Sequence, residues 1–202
     1  MKARTRNIII ATIIFSAIFG SLFIYNWNIY METKNQFENC DDSSCLWITG
    51  NVNADKFIGI SYLLNESFIR VENVEFNIVN SVGTEYNRTL SGVMLLDILK
   101  IYNLLREDAE YIRFQSMDGY TTYNFPIRLI RSNPEMVIIV THENGQLLDS
   151  KELGGNGPLA AAVDFDCIKD DSEMQQIFED NNQDYVHNSK FNVKYLDTLI
   201  VI

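Results

Sequence analysis

From Phe68 onward the chain alternates. Val74, Phe76 and Ile78 fall on one side and Asn73, Glu75 and Asn77 on the other, the period of two of a half-buried strand that closes near Asn80. Residues 81–84 contain Gly83 and suit a turn, which sends residues 86–90 back antiparallel. Ser91 is placed to cap a helix, because Leu95, Ile98, Leu99, Tyr102 and Leu105 then recur at spacings of three and four and build a broad apolar face. Period two returns where Ile112 and Phe114 alternate with Arg113 and Gln115, and Asp118-Gly119 turns the chain into residues 120–125. The apolar run 136–142 reads as a strand and is followed by Asn144-Gly145, a strong two-residue hairpin signal.

The flanks are plainer. Residues 46–52 predict a strand ending at Gly50-Asn51, and residues 57–64 one or two helical turns. Residues 151–158, with Gly154, Gly155 and Gly157, form a loop before a short strand at 159–163. The stretch 164–190 is acidic and irregular with one helix near 173–178, and residues 193–202 close the chain as an apolar strand. Strands outnumber helices, so the fold class is α+β with mainly antiparallel sheets.

Residues 8–25 carry no charge, and as a helix they would span about 27 Å, close to a hydrocarbon core. Cleaved signal peptides have shorter apolar regions, about 7 to 15 residues, and end at a small-x-small site that Ser16-Ala17-Ile18 matches poorly. Tyr25, Trp27 and Tyr30 stand where an interfacial aromatic belt would lie. The expectation is an uncleaved single-pass helix, preceded by Lys2, Arg4 and Arg6, which place the N-terminus in the cytoplasm and the bulk outside it. Residues 1–25 are then tip and anchor, 26–45 a polar stalk, and 46–202 one globular domain.

Beyond residue 25 there remain 13 basic against 27 acidic side chains, a net charge of −14. That balance repels nucleic acid and anionic lipid headgroups, and is compatible with cationic partners, with bound divalent metal or with plain solubility. Outside the cytoplasm, Cys40 and Cys45 could close a short disulfide loop, while two cysteines without a nearby histidine make a poor zinc set. Cys167 is left over and reads as a buried thiol. Asn65-Glu66-Ser67 and Asn87-Arg88-Thr89 are N-glycosylation sequons, usable if exposed outside the cytoplasm. With only His142 and His187, no histidine metal or acid-base pair can be read from the sequence, and Ser116, Asp118 and His142 lack the Gly-x-Ser-x-Gly elbow of a hydrolase triad.

Five segments in order resemble the oxidoreductase molybdopterin-binding domain of sulfite oxidases and related reductases: residues 46–52; Ser91-Gly92-Val93 leading into 95–99; Ser116-Met117-Asp118-Gly119-Tyr120 followed by Phe125-Pro126; residues 144–148; and residues 154–159. The resemblance covers most of 46–202. It implies a mixed α+β domain of sulfite-oxidase type with few helices, and a groove to which Asn80, Ser81, Asp118, Tyr120 and Asn156 would contribute.

Two departures change what it implies for function. Active members of the family hold molybdenum through a cysteine thiolate between the first long strand and the Gly-Val segment. Residues 76–91 contain no cysteine here, and Asn80 or Ser81 stands at the corresponding place. Neither an amide nor a neutral hydroxyl supplies the charge and softness of a thiolate. The family also follows its Gly-Gly-Pro segment with basic residues, where this chain has Ala160 and then Asp164, Asp166, Asp170 and Asp171. The sequence therefore expects no catalytic residue, no metal and no cofactor, molybdenum-pterin being implied only if the family activity is retained. The leading reading is a domain that binds a small ligand or a partner protein. The alternatives are an active molybdenum-pterin oxidoreductase with an atypical ligand set, and a purely structural ectodomain.

Overall fold

The computed structural model describes residues 20–21, 45–64, 68–149 and 155–202. Strand β1 (Cys45–Gly50) buries Leu46 and Ile48 and turns Trp47 outward, the alternation expected of a half-buried strand. It pairs antiparallel with β2 (Lys56–Gly59), which passes directly into α1 (Ile60–Leu63). Residues 57–64 are therefore half strand and half helix, where the apolar run alone suggested helix. Phe57 is drawn into the sheet by its cross-strand partner Trp47, on whose ring it stacks at 5.6 Å.

β3 (Arg70–Val79) and β4 (Glu85–Met94) form the expected hairpin, but β4 is longer than its periodicity indicates. The register slips between Val71 and Val74, where Asn73 takes a left-handed φ of 51°. Val74, read as inward-facing, is 41% exposed. Ser91 does not cap a helix. It lies within β4, and its hydroxyl accepts the Asn73 N–H at 2.9 Å, satisfying the bulge. Gly92 lies where a Cβ would stand 2.2 Å from the Ile139 carbonyl, so only glycine permits this approach to the neighbouring strand.

Helix α2 (Leu95–Ile101) buries Leu95, Leu96, Ile98 and Leu99, and stops before Asn103, which has a φ of 47°. Leu105 lies beyond it and bridges to Val52. β5 (Tyr111–Ser116) turns at Asp118-Gly119, but the return is strand only at β6 (Phe125–Pro126). Thr121 makes a single bridge to Gln115 on the way. Helix α3 (Ile127–Ser132) leads to β7 (Val137–Glu143), and Asn144 and Gly145, at φ 52° and 74°, make the expected tight turn into β8 (Gln146–Leu147). Then follow β9 (Ala160–Val163), α4 (Ser172–Asp180) and β10 (Leu196–Val201). Asp171 caps α4 by accepting the Met174 N–H at 3.0 Å.

Among the described residues the strands form two five-stranded sheets. The first runs β2-β1-β10-β5-β6, and its single parallel pair joins β1 to β10, the two ends of the domain. The second runs β3-β4-β7-β8, with β9 also on β7. A large core holds Leu46, Ile48, Ile112, Phe114, Phe125, Phe178, Phe191 and Leu199, and a smaller one under the second sheet holds Phe76, Ile78, Leu90 and Ile138. The fold is thus mixed α+β and mainly antiparallel. No helix among the described residues is long and apolar enough to cross a membrane. The expected anchor lies outside them except for Gly20 and Ser21, which are helical.

Candidate functional site

β3 is an edge strand, and its unpaired side is covered by side chains rather than by another strand. The Asn77 N–H is accepted by Asp164 Oδ2 at 2.9 Å, and the Val79 N–H by Asn188 Oδ1 at 2.7 Å. Asn188, fully buried, also donates through Nδ2 to the carbonyls of Asn77 and Val163, each at 2.7 Å. Asp164 thus takes a structural part in the acidic stretch. Burial draws its carboxyl up, against the backbone N–H groups of Asn77 and Asp166 that pull it down.

Segment 188–195, pinned this way, connects four of the five groove candidates. Asn80 follows Val79, and its side-chain oxygen accepts the N–H groups of Val82 at 3.0 Å and Thr84 at 2.9 Å, closing its own turn. Ser81, beside it, is exposed. Tyr120 donates its hydroxyl to the Lys190 carbonyl at 3.0 Å. The Asn156 carbonyl accepts the Tyr195 N–H at 3.0 Å, and the Tyr195 carbonyl accepts the Met117 N–H at 2.9 Å, next to Asp118. The Asp118 carboxylate accepts the Ser116 hydroxyl and the Tyr120 N–H, so it organises the turn. His142 is engaged elsewhere, its Nδ1 sharing a hydrogen with Thr141 Oγ1 at 2.9 Å.

The electrostatics around this segment are mixed. Asp197, at the β10 bulge opposite Ser116, has its carboxyl raised by burial and by the neighbouring Asp118. Arg88 clamps Glu143 through two bonds of 2.8 and 2.9 Å, and Asn156 Nδ2 adds a third at 3.4 Å. The Lys190 ammonium lies 5.3 Å from the centre of the Tyr123 ring. His187 is buried, with Nδ1 on the Ser189 hydroxyl at 2.8 Å and Nε2 without a partner, and burial holds its imidazole below the usual histidine range.

Asn188, Lys190 and Tyr195 are residues that sequence reasoning did not single out. Asn188 and Lys190 sit in the stretch 164–190 read as acidic and irregular, Tyr195 in the stretch 193–202 read as an apolar strand, and no local periodicity marks them. Tyr185 borders a surface cavity of about 310 Å³ lined by Phe165, Lys169, Phe178 and Glu179. A second of about 310 Å³ lies by Tyr111, Arg128, Arg131 and Glu173, and a third of about 350 Å³ by Arg113, Tyr123, Asn124 and Asp180. None of the five groove candidates lines these three.

Cys167 stands in a short 3-10 turn (Phe165–Cys167) within the large core, and burial pushes its thiol up to about 12. A thiol so held is a poor source of thiolate at neutral pH. Among the described residues, no group of three or more His, Cys, Asp or Glu side chains is placed to hold a metal ion. Asn87 is exposed on β4. Asn65 and Cys40, and with Cys40 the expected bridge to Cys45, lie outside the described residues.

No family model matches the sequence, and no curated protein matches it. Among solved structures, the sulfane dehydrogenase SoxCD from Paracoccus pantotrophus superposes with a TM-score of 0.56 over 80% of this chain at 14% identity. The match spans 39% of that chain, so this protein covers well under half its length. At that identity the likeness is one of fold.

Proposed function

We propose that residues 46–202 form a sulfite-oxidase-type domain without its molybdenum site, carried outside the cytoplasm on the helix of residues 8–25 and serving as a ligand- or partner-binding module. The observation that carries this reading is the state of Asn80. With Ser81 it is the candidate for the place where the resembled family has its thiolate, and it spends its side-chain oxygen on two N–H groups of its own turn. A turn-closing amide is neither soft nor anionic, so the donor set does not fit molybdenum. Cys167 does not substitute, because its thiol is buried and held neutral. After Pro158-Leu159 the chain has Ala160 instead of the basic residues of the resembled family, and two arginines of the second sheet are engaged within the domain, Arg88 with Glu143 and Arg70 with the Leu63 carbonyl and Thr141.

What remains is a recognition surface. Val82 is 79% exposed at the hairpin tip, Tyr185 is 41% exposed with its hydroxyl beside the neighbouring Gly83, and Tyr120, 41% exposed, reaches the Lys190 carbonyl of segment 188–195. The test is reconstitution. Detergent-solubilised full chain is mixed with molybdenum cofactor released from a donor enzyme and then gel-filtered. Wild type is expected to retain no molybdenum, and the Asn80→Cys and Ser81→Cys variants are compared alongside. Retention by wild type at one metal per chain would overturn the proposal.

A further inference from the structure

The turn that closes the β3 edge has a buried histidine at its root. His187 immediately precedes the 3-10 turn (Asn188–Lys190) and is 1% exposed. Its ring crosses that of Phe178, from α4, at 71° with centroids 5.0 Å apart, and lies 5.7 Å from that of Tyr185. Nδ1 pairs with the Ser189 hydroxyl at 2.8 Å, and Nε2 has no hydrogen-bond partner among the described residues. A neutral ring with its proton on Nδ1 suits these surroundings, since the donor meets Ser189 and Nε2 is left as a lone pair. A second proton, on Nε2, would make a buried cation with a donor and no acceptor.

The neighbouring charges do not relieve that cation. Burial, and then the Lys190 ammonium in the same turn, hold the imidazole below its ordinary value of 6.5. Lys169, Glu179 and Asp184 line the cavity next to Phe178 and Tyr185, and neither carboxylate bonds the ring. Aromatic faces attract cations, but weakly beside the loss of water around an imidazolium. The favourable course for a protonated ring is therefore to leave. Asn188 is the next residue, and its side chain holds the Val79 N–H and the Asn77 and Val163 carbonyls.

We infer that residues 185–190 form an acid-sensitive latch, in which protonation of His187 drives its ring into water and withdraws Asn188 from β3, baring the Val79 N–H and the Asn77 carbonyl beside the Asn80 turn. A strand edge bared in this way is open to pairing with an extended segment. The latch goes beyond the proposed recognition function and does not depend on it. Its sign follows from linkage: a histidine lowered on folding favours the closed state above 6.5, and loses that contribution as pH falls from there toward the folded value.

Hydrogen exchange of the full chain in detergent, read by mass spectrometry of its peptides between about pH 7.5 and 5.5, tests the latch once each rate is divided by the intrinsic rate at that pH. The opening constant of the peptide holding Val79 is expected to rise on acidification by more than about twofold and up to about tenfold, the limit for one group of ordinary value 6.5 over this range. Peptides of β10, in the middle of the first sheet, are expected to stay level. His187→Gln keeps a polar side chain that does not titrate and should abolish the rise. Asp164, on the same edge, is common to both proteins, so the difference belongs to His187. His187→Phe replaces that variant where it does not fold, and if neither folds the wild-type contrast between the two peptides decides alone. A level Val79 peptide in wild type, an equal rise in β10, or an undiminished rise in the variant overturns the latch.

Discussion

Asn188 accepts the Val79 N–H at 2.7 Å, one residue before Asn80. The same side chain holds the carbonyls of Asn77 and Val163, so one amide ties the edge of β3 to the end of β9. Segment 188–195 is fixed from this point, and with it the partners of Tyr120 and Asn156.

Asn188→Ala is therefore expected to cost about 3 kcal/mol, since it strips partners from several buried backbone groups at roughly 1–3 kcal/mol each. The Val163 carbonyl then keeps the 3.3 Å bond from Asn192. Urea unfolding measures the loss, and a change below about 1 kcal/mol would contradict the role given to Asn188.

Arg88 and Glu143 make a two-bond ion pair whose side chains are only 16% and 24% exposed. The Arg88 bonds hold the Glu143 carboxyl below its ordinary value of 4.5. A depressed carboxyl contributes stability that is present above the unfolded value and lost as pH falls through the folded one. Arg88→Ala should thus lower stability by about 1.5 kcal/mol at pH 7, with the gap from wild type closing as pH drops below 4.5. A gap independent of pH would assign the loss to packing of the arginine stem.

Burial raises the Cys167 thiol from 9.0 to about 12. A thiol raised on folding gives a contribution intact below the unfolded value and lost as pH climbs through the folded one, so this group should destabilise the domain between pH 9 and 12. At pH 8 only about one thiol in ten thousand is ionised in the native protein, against about one in ten unfolded. Iodoacetamide should label Cys167 about a thousandfold faster in denaturant, as read by mass spectrometry of its peptide. Comparable native labelling would return Cys167 to consideration as a ligand.

Local pattern announced much of this fold. The Asn144-Gly145 turn, the β3–β4 hairpin and the buried face of α2 all depend on neighbours within a few residues, where period and turn chemistry act. The misreadings arose where distant contacts decide. Ser91 resembles a helix cap until the bulge at Asn73, 18 residues away, takes its hydroxyl. Phe57 resembles part of a helix until Trp47 pairs with it. The β1–β10 pairing spans the whole domain and leaves no local trace. Asn80 and Ser81 are singled out only through the resemblance, and Asn188, which joins β3 to β9, has no signature in its own segment.

The proposed loss of the molybdenum site is tested most directly by the metal and pterin content of the full chain, made in a host that synthesises molybdenum cofactor and purified without chelator. The account predicts a folded protein with neither molybdenum nor pterin above background by mass spectrometry. One molybdenum and one pterin per folded chain would contradict it, and mutation of Asn80, Ser81 and Cys167 in turn would then identify the ligand.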